Sequence, residues 1–329
     1  MASILFIGGT GIISAACVRA AVAVGHRVTV MNRGLGSRTI PEDVERLDAD
    51  VRDRDAVRAA VAGRRFDVVA QFLAFTPDQV RADVELFEGR CDQYVFVSSA
   101  SAYQTPPSRL PVTESTPLRN PFWQYSRDKI ACEDLLVEAY RERGFPVTII
   151  RPSHTYDERA LPTLGGWTDI ARMREGRPVL VHGDGTSLWT ITHSDDVAVA
   201  VTGLLRHPAA LGEAFTVTGT QAPTWNAIYG WLADAAGVAH PDLVHVASET
   251  IAAAAPEIGP TLLGDKAHSM VFDVSKVQAL VPAFQTTVTF DEGARRILEY
   301  FDAHPEVQER DADHDALSDR LAAHARAVV

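Results

Sequence analysis

The chain has 329 residues and a net charge of −12 at pH 7, and 46% of its residues are hydrophobic. These values are typical of a globular protein with a large core, and the acidic charge disfavours nucleic acid or an anionic membrane as main partner. The three cysteines are odd in number and widely spread, which argues against a disulfide framework. We expect a cytoplasmic protein, because no leader, long apolar span or lipidation signal is recognised.

The chain opens with an apolar run, Ser3–Ile7, that predicts a buried strand. Residues 8–14, Gly-Gly-Thr-Gly-Ile-Ile-Ser, separate it from an alanine-rich helical stretch. Strand, glycine turn and helix form the setting of a dinucleotide-binding loop, in which a pyrophosphate lies at the helix N-terminus. Ser14 stands at the third glycine position and is small enough for close packing. We assign cofactor contacts to Gly8, Thr10, Gly11, Ile12 and Ile13.

The second predicted strand covers residues 27–31 and is followed by Asn32 and Arg33. An acidic residue about 20 positions after the glycine loop normally holds the ribose hydroxyls of NAD. Asn32 replaces that acid, and the guanidinium of Arg33 suits a 2′-phosphate. The sequence therefore favours NADP slightly over NAD. The alternative is a solvated loop arginine beside an asparagine that still binds the ribose.

A further strand, residues 94–97, runs directly into the hydroxyl cluster 98–103. In an open parallel sheet, ligands bind beyond the carboxyl ends of the strands. A hydroxyl at this place could bind a substrate oxygen and share its proton with Tyr125. The alternative is a serine-rich strand end that caps the next segment.

Tyr125 and Lys129 lie four residues apart, so on a helix they share one face. An ammonium group beside a phenol favours the phenolate, so we expect a lowered pKa for Tyr125 and a role in proton transfer. The alternative is a tyrosine packed on a helix beside a solvent-exposed lysine.

Strand and helix signals alternate as far as Ile150, which predicts a Rossmann-type, doubly wound parallel sheet of the α/β class. The looser pattern beyond Arg151 predicts a smaller C-terminal substrate-binding lobe, with the site in the cleft between the two parts. We expect the dinucleotide-binding domain to cover residues 1–152, with 189–220 returning to it. The lobe then comprises 153–188 and 221–300, and 301–329 form a polar helix or tail with a thin apolar stripe.

Later helices are expected over residues 167–175, 195–205 and 225–236, and later strands over 179–181 and 215–217. No spacing among the histidines, cysteines and acidic residues is typical of a metal site, so no metal is predicted.

These motifs, in this order, resemble the extended short-chain dehydrogenase/reductase superfamily, and most closely its NAD(P)-dependent epimerase/dehydratase family. The resemblance covers roughly the first 300 residues. Further matching segments are 47–51, 66–74, 112–118, 150–156 and 192–198. The resemblance implies a soluble enzyme that binds a nicotinamide cofactor, although a fold alone does not fix the reaction.

By this resemblance, Tyr125 would transfer the proton, and Lys129 would lower its pKa and hold the nicotinamide ribose. Ser99 would orient the substrate oxygen, with Ser101 as the less favoured register. Asp50 would bind the adenine amine and Val51 would line its ring. Phe72 and Pro152 complete the implied cofactor contacts.

Two departures from the family pattern bear on the substrate. Sugar-nucleotide dehydratases of the family carry an acidic pair just after the catalytic hydroxyl, but Ala100 and Ser101 follow Ser99 here. Many of its sugar-nucleotide epimerases carry a pyrophosphate-binding arginine where this chain has Trp189. An indole has one donor and no charge, which argues against a standard sugar nucleotide. Trp189 could instead stack on a sugar ring, or it is a core aromatic residue.

Two other residues are candidates for substrate binding. Lys266 could restore a phosphate contact from elsewhere in the chain. His154, two residues after Pro152, could be a second acid or base or a hydrogen-bond donor. The alternative for His154 is a structural hydrogen-bonding group.

Three functional hypotheses remain open. The favoured one is an NAD(P)-dependent epimerase that oxidises and re-reduces a hydroxyl of a sugar-containing substrate. The second is an NADPH-dependent reductase of a keto sugar or related carbonyl, and Arg33 favours it. The third is a cofactor-sensing or RNA-binding protein without turnover. A small carbohydrate-type molecule is the expected partner, with neither nucleic acid nor membrane, and the family suggests a homodimer.

Overall fold

The computed structural model describes residues 1–34, 36 and 38–327. Its strands, in chain order, are β1 (Ser3–Ile7), β2 (Arg27–Asn32), β3 (Glu45–Asp48), β4 (Phe66–Gln71), β5 (Cys91–Val97), β6 (Val147–Pro152), β7 (His154–Tyr156), β8 (Val179–His182), β9 (Ile191–His193), β10 (Ala214–Val217) and β11 (Leu243–Val246). Its α-helices are α1 (Ile12–Ala23), α2 (Arg54–Ala60), α3 (Pro77–Phe87), α4 (Gln124–Arg143), α5 (Trp167–Arg174), α6 (Ser194–Leu204), α7 (Trp225–Ala235), α8 (Ser248–Ala254), α9 (Gly259–Thr261), α10 (Ser275–Leu280), α11 (Phe290–Ala303) and α12 (Ala312–Ala327).

The central sheet has seven strands in the order β10-β6-β5-β4-β1-β2-β3, and every neighbouring pair is parallel. The inner strands read as continuous apolar runs because helices cover both faces of the sheet. On one face, α1 and α6 pack together over residues such as Phe6 and Val30. On the other, α3 and α4 cover residues such as Leu5 and Val69. The predicted doubly wound α/β fold is confirmed.

A separate aromatic core brings Trp167 and Trp225 of the smaller lobe together with Trp189, which lies at the start of the segment expected to return to the first domain. Strands β8 and β11 form a separate parallel pair, as do β7 and β9. The later helices and strands expected from the sequence are confirmed to within one residue at each end. Between the two lobe segments, β10 joins the central sheet beside β6 and α6 packs against α1.

The segment 301–329 contains a helix, α12, that is packed and not frayed. Its Leu317 and Leu321 are buried in a small core with residues of β8 and β11. Across the described part of the chain, no helix is both long and apolar enough to cross a membrane.

Candidate active site

A cleft of about 890 Å³ lies at the carboxyl ends of the central strands and reaches into the smaller lobe. The parallel arrangement brings the turns after β1, β4, β5 and β6 to this one edge. All of the cofactor-binding residues predicted from the sequence line the cleft: Gly8, Thr10, Gly11, Ile12, Ile13, Asn32, Arg33, Asp50, Val51, Phe72, Lys129 and Pro152. Among the other candidates, Tyr125, Ser99, Ser101, His154 and Lys266 line it too.

The glycine loop between β1 and α1 has the geometry of an anion cradle. Gly8 and Gly9 have φ values of +119° and +93°, which side chains rarely allow. A Cβ on Gly9 would lie 2.5 Å from Cγ1 of Val30, so the loop passes too close to β2 for any other residue. The first turn of α1, which is wholly described, contains no acidic residue, so its amide groups fit a pyrophosphate.

Ser14, the departure from the glycine pattern, closes this loop. Its hydroxyl accepts a hydrogen bond from the backbone N–H of Gly11 at 2.9 Å, and the residue is buried. A glycine could not make that contact. The substitution therefore keeps the close helix–strand packing and adds a local hydrogen bond.

The part of the cleft where the sequence predicts the cofactor ribose to bind carries two arginines around one acid. Arg52 donates to the Asp50 carboxylate from Nε at 3.1 Å and from Nη2 at 2.9 Å, and Arg33 approaches it at 3.5 Å. These contacts, with Arg52 first, lower the pKa of Asp50 to about 2. Asp50, expected to bind the adenine amine, is therefore already engaged by guanidinium groups. The side chain of Asn32 holds the backbone, through Gly8 O and Gly34 N.

Lys129 lines the cleft, but its side chain is almost completely buried. Its ammonium group donates to the carbonyl oxygens of Ala74 and Val97 at 2.8 Å each. It also lies 4.7 Å from the ring centroids of both Phe75 and Phe96. Burial in these apolar surroundings lowers the pKa of Lys129 to about 8.

The environment of Tyr125 corrects one expectation from the sequence. Burial raises the pKa of this phenol, while a hydrogen bond with Ser99 acts in the opposite direction. The Lys129 ammonium lies 5.9 Å from the centre of the tyrosine ring and is bonded to carbonyl oxygens instead. The expected lowering of the Tyr125 pKa by Lys129 is therefore wrong for this arrangement.

A chain of hydroxyl groups supports Ser99. Its oxygen lies 2.9 Å from that of Ser101, which in turn accepts a hydrogen bond from Ser126 at 2.7 Å. Ser99 also caps the short turn that follows β5 by accepting from the backbone N–H of Ser101. Ser99 is therefore both the residue that caps this turn and the candidate for the catalytic hydroxyl.

The remaining substrate candidates surround the indole of Trp189. This indole is almost completely buried and lies beneath the cleft, between His154 at 4.4 Å and Trp225 at 4.4 Å. The structure therefore corrects the expected stacking of Trp189 on a sugar, and its alternative as a core aromatic residue agrees with this position. Burial lowers the pKa of His154 to about 3, so this imidazole is neutral at pH 7 and is not a titrating acid there.

Among the cleft residues that the sequence analysis did not predict are three with polar or aromatic side chains that bear on binding: Arg52, Trp123 and Asp265. Arg52 and Asp265 each adjoin a predicted residue, which was the available signal. Asp265 lies beside Lys266, with 3.8 Å between Lys266 Nζ and Asp265 Oδ2. Trp123 lies next to Tyr125, with 4.7 Å between ring centroids. Within the residues that the structure describes, no group of three His, Cys, Asp or Glu could hold a metal ion.

Comparison with known proteins agrees with this geometry. Residues 4–218 match the model of the NAD dependent epimerase/dehydratase family. The chain belongs to this family. The resemblance found in the sequence is therefore confirmed.

The chain is similar to proteins with several different functions, of which two relatives and one solved structure are examples. The chain is 28% identical to 2′-dehydrokanamycin reductase of Streptomyces kanamyceticus over 287 residues, which cover 86% of this chain and 80% of the relative. It is 27% identical to a chloroplast stem-loop binding protein of 41 kDa of Arabidopsis thaliana, over 74% of this chain and 65% of the relative. A structure of UDP-glucose 4-epimerase from Thermotoga maritima with UDP-glucose has a TM-score of 0.74 at 20% identity, covering 92% of this chain and 99% of the other.

The family and its relatives indicate an NAD-dependent enzyme of the epimerase, dehydratase or reductase kind. The solved structure supports the fold alone, because its sequence identity is low.

Proposed function

We propose that this protein is an NADPH-dependent reductase of a sugar carbonyl. The observation that carries the proposal is that Tyr125 and Ser99 line the same cleft as the glycine loop, with Ser99 close enough to affect the pKa of the phenol. The sequence alone favoured an epimerase. Similarity to a reductase over 86% of the chain supports reduction instead.

Tyr125 is the proton donor in this proposal. Its raised pKa keeps the phenol protonated at neutral pH, the state that donation to a carbonyl oxygen requires. Ser99 would orient the same oxygen, and its hydroxyl is held in turn by that of Ser101, which accepts a hydrogen bond from Ser126. The nicotinamide cofactor, when bound, supplies the hydride.

The ribose end of the cleft supports NADPH as the cofactor. The two positive charges of Arg33 and Arg52 outweigh the single negative charge of Asp50, and Asn32 lacks the carboxylate that would repel a 2′-phosphate.

We expect Arg33→Ala and Arg52→Ala each to weaken NADPH binding roughly tenfold or more, because each removes a charge-assisted contact. NADH binding, measured by the same calorimetric titration, should change little. Equal losses for both cofactors would contradict the proposal.

The substrate end supports a sugar without a nucleoside diphosphate. Among the described residues that line the cleft, Lys266 is the one cation that is not assigned to cofactor binding, and Asp265 lies 3.8 Å from it. This pair carries no net charge. A pyrophosphate carries two negative charges and would lack a matching partner there.

The decisive experiment identifies the bound cofactor and then measures carbonyl reduction. Purified protein is denatured with acid and any released nicotinamide nucleotide is identified, and NADPH consumption is then followed with a panel of keto sugars. We expect an empty protein that consumes NADPH, and Tyr125→Phe should lose at least about a hundredfold in rate while still binding NADPH. Tyr140→Phe, on the exposed part of the same helix, is the matched control. Binding of NADPH without any turnover would favour a cofactor sensor.

An epimerase is the second candidate. Tyr125 and Ser99 could serve both half-reactions, oxidation and re-reduction, without a further acid. Nicotinamide cofactor retained in near-stoichiometric amount after purification would support it, because an epimerase regenerates its cofactor in place.

A further inference from the structure

Trp123 forms an aromatic wall of the cleft beside the phenol of Tyr125. Its indole is half-buried, and its ring is tilted by 38° from that of Tyr125 with 4.7 Å between their centroids. The Asp265–Lys266 pair lines the same cleft from the smaller lobe. An apolar ring and a pair of hydrogen-bonding charges thus face one space from separate parts of the chain.

Asn120 ties these parts together. Its amide nitrogen donates to the carbonyl oxygens of Ser101 at 2.9 Å and Gly264 at 2.7 Å. Its amide oxygen accepts from the backbone N–H of Trp123 at 3.1 Å and of Phe122 at 3.2 Å. The side chain is buried, and both of its donor protons are used. Asn120 therefore fixes the loop of the catalytic hydroxyls, the start of α4 and the Asp265 segment relative to one another.

The lobe segment also packs directly on Trp123. A Cβ added at Gly264 would lie 2.9 Å from Cβ of Trp123, so the two backbones approach as closely as side chains permit. Asp265 and Lys266 end a π-helical turn over Leu262–Lys266, a local irregularity that is frequent at functional sites. Asp265 is further held by the indole N–H of Trp189 at 3.4 Å.

We propose that Trp123 and the Asp265–Lys266 pair form a subsite for an uncharged sugar ring, with Asn120 as its positioning residue. The proposal rests on the proposed function, because it names the substrate class of the same cleft. The face of a sugar ring is apolar and suits an indole, while its hydroxyls can donate to Asp265 and accept from Lys266. Because the two charges offset each other, the subsite favours a neutral ring over a phosphate or an ammonium group.

The first test measures binding without turnover. Saturation-transfer NMR in the presence of NADP⁺ compares methyl glucoside, methyl glucosaminide and UDP as probes. We expect methyl glucoside to bind the wild type and Trp123→Phe, and to bind Trp123→Ala about tenfold more weakly. Phe122→Ala is the matched control, since this neighbouring aromatic side chain is exposed and outside the set of cleft-lining residues. Equal binding by Trp123→Ala, or preferential binding of UDP, would overturn the subsite.

The second test separates positioning from stability. Asn120→Ala should raise KM for the sugar about tenfold, since the wall and the pair lose their common anchor, while the NADPH dissociation constant stays unchanged. Gln93→Ala is the control, because this buried amide also bonds several groups but lies away from the cleft. It should lower stability without moving KM. Unchanged KM in Asn120→Ala would refute the positioning role.

The two proposals can fail separately. A protein that binds methyl glucoside through Trp123 but reduces no keto sugar would retain the subsite and lose the reductase assignment. A protein that reduces keto sugars with wild-type KM in Trp123→Ala would retain the reductase assignment and lose the subsite.

Discussion

Lys129 is held in an unusual place for a cation, with its ammonium group against two aromatic rings and two carbonyl oxygens. The carbonyl groups satisfy part of its hydrogen-bonding capacity, but burial still penalises the charge and lowers its pKa to about 8. The charge state of this residue therefore changes close to physiological pH.

This change gives a prediction for the pH dependence of activity. As pH rises through about 8, Lys129 loses the charge with which it would hold the nicotinamide ribose, so the cofactor is oriented less firmly and the rate of carbonyl reduction should fall. Rates are measured from pH 6 to 10 with saturating NADPH. In Lys129→Arg, whose guanidinium stays charged, the decline near pH 8 should disappear even though the absolute rate is lower. A decline that persists in that variant would assign it to another group.

At this scale the sequence predicted those site residues whose signal is local. The four-residue spacing of Tyr125 and Lys129 and the glycines of the first loop need only the neighbouring chain for their interpretation. The role of Trp189 could not be judged in this way, because its burial depends on His154 and Trp225. Asp265 and Trp123 meet only through the tertiary fold, since about 140 residues separate them.

At the scale of elements, a buried acid joins α3 to the two central strands beside it. The carboxylate of Asp83 accepts hydrogen bonds from Gln71 of β4 and Tyr94 of β5, both at 2.6 Å. Gln71 in turn accepts from the backbone N–H of Leu73, in the turn that lines the cleft. Burial raises the pKa of Asp83 to about 6, because the two hydrogen bonds do not fully offset the loss of water.

The buried carboxyl group of Asp83 should make the free energy of unfolding depend on pH. The folded-state pKa of Asp83 exceeds its ordinary value of 3.8, so its contribution is fully present below about pH 4 and is lost as pH rises through about 6. Relative to Asp83→Asn, the free energy of unfolding of the wild type should fall by about 2 kcal/mol between pH 4 and pH 7. Urea titrations at several pH values measure this difference. As a control, the free energy of unfolding of Asp78→Asn, on the exposed side of α3, should change with pH as that of the wild type does. If the free energy of unfolding of Asp83→Asn also changed with pH as in the wild type, the prediction would be contradicted.

At the scale of the whole molecule, the C-terminal helix α12 is attached by charges as much as by its apolar stripe. Arg172 of α5 is completely buried and donates to Asp315 and Asp319 of α12 at 2.7 Å each. Arg177 contacts the same two carboxylates from the surface. Leu317 and Leu321 alone predicted a weakly held segment. The arginines that complete the attachment lie about 140 residues earlier, beyond the reach of a local pattern.

Removing the buried guanidinium should detach α12. We expect Arg172→Ala to cost about 3 kcal/mol of unfolding free energy, because a buried ion pair is broken and Pro178 O loses its donor. Hydrogen exchange of the α12 amides should accelerate in this variant. Arg326→Ala is the control, since its pair with Asp242 is exposed and should contribute less than about 1 kcal/mol. Unchanged protection of α12 in Arg172→Ala would show that apolar contacts suffice.

The central sheet is completed late in the chain. Strand β6 ends at Pro152, but its outer neighbour β10 begins only at Ala214. During synthesis on the ribosome, β6 therefore remains an open edge with unpaired backbone groups while the first segment of the lobe is made. A nascent chain stalled between these two strands presents that edge to other chains, so we expect this stage of translation to be the one most exposed to aggregation.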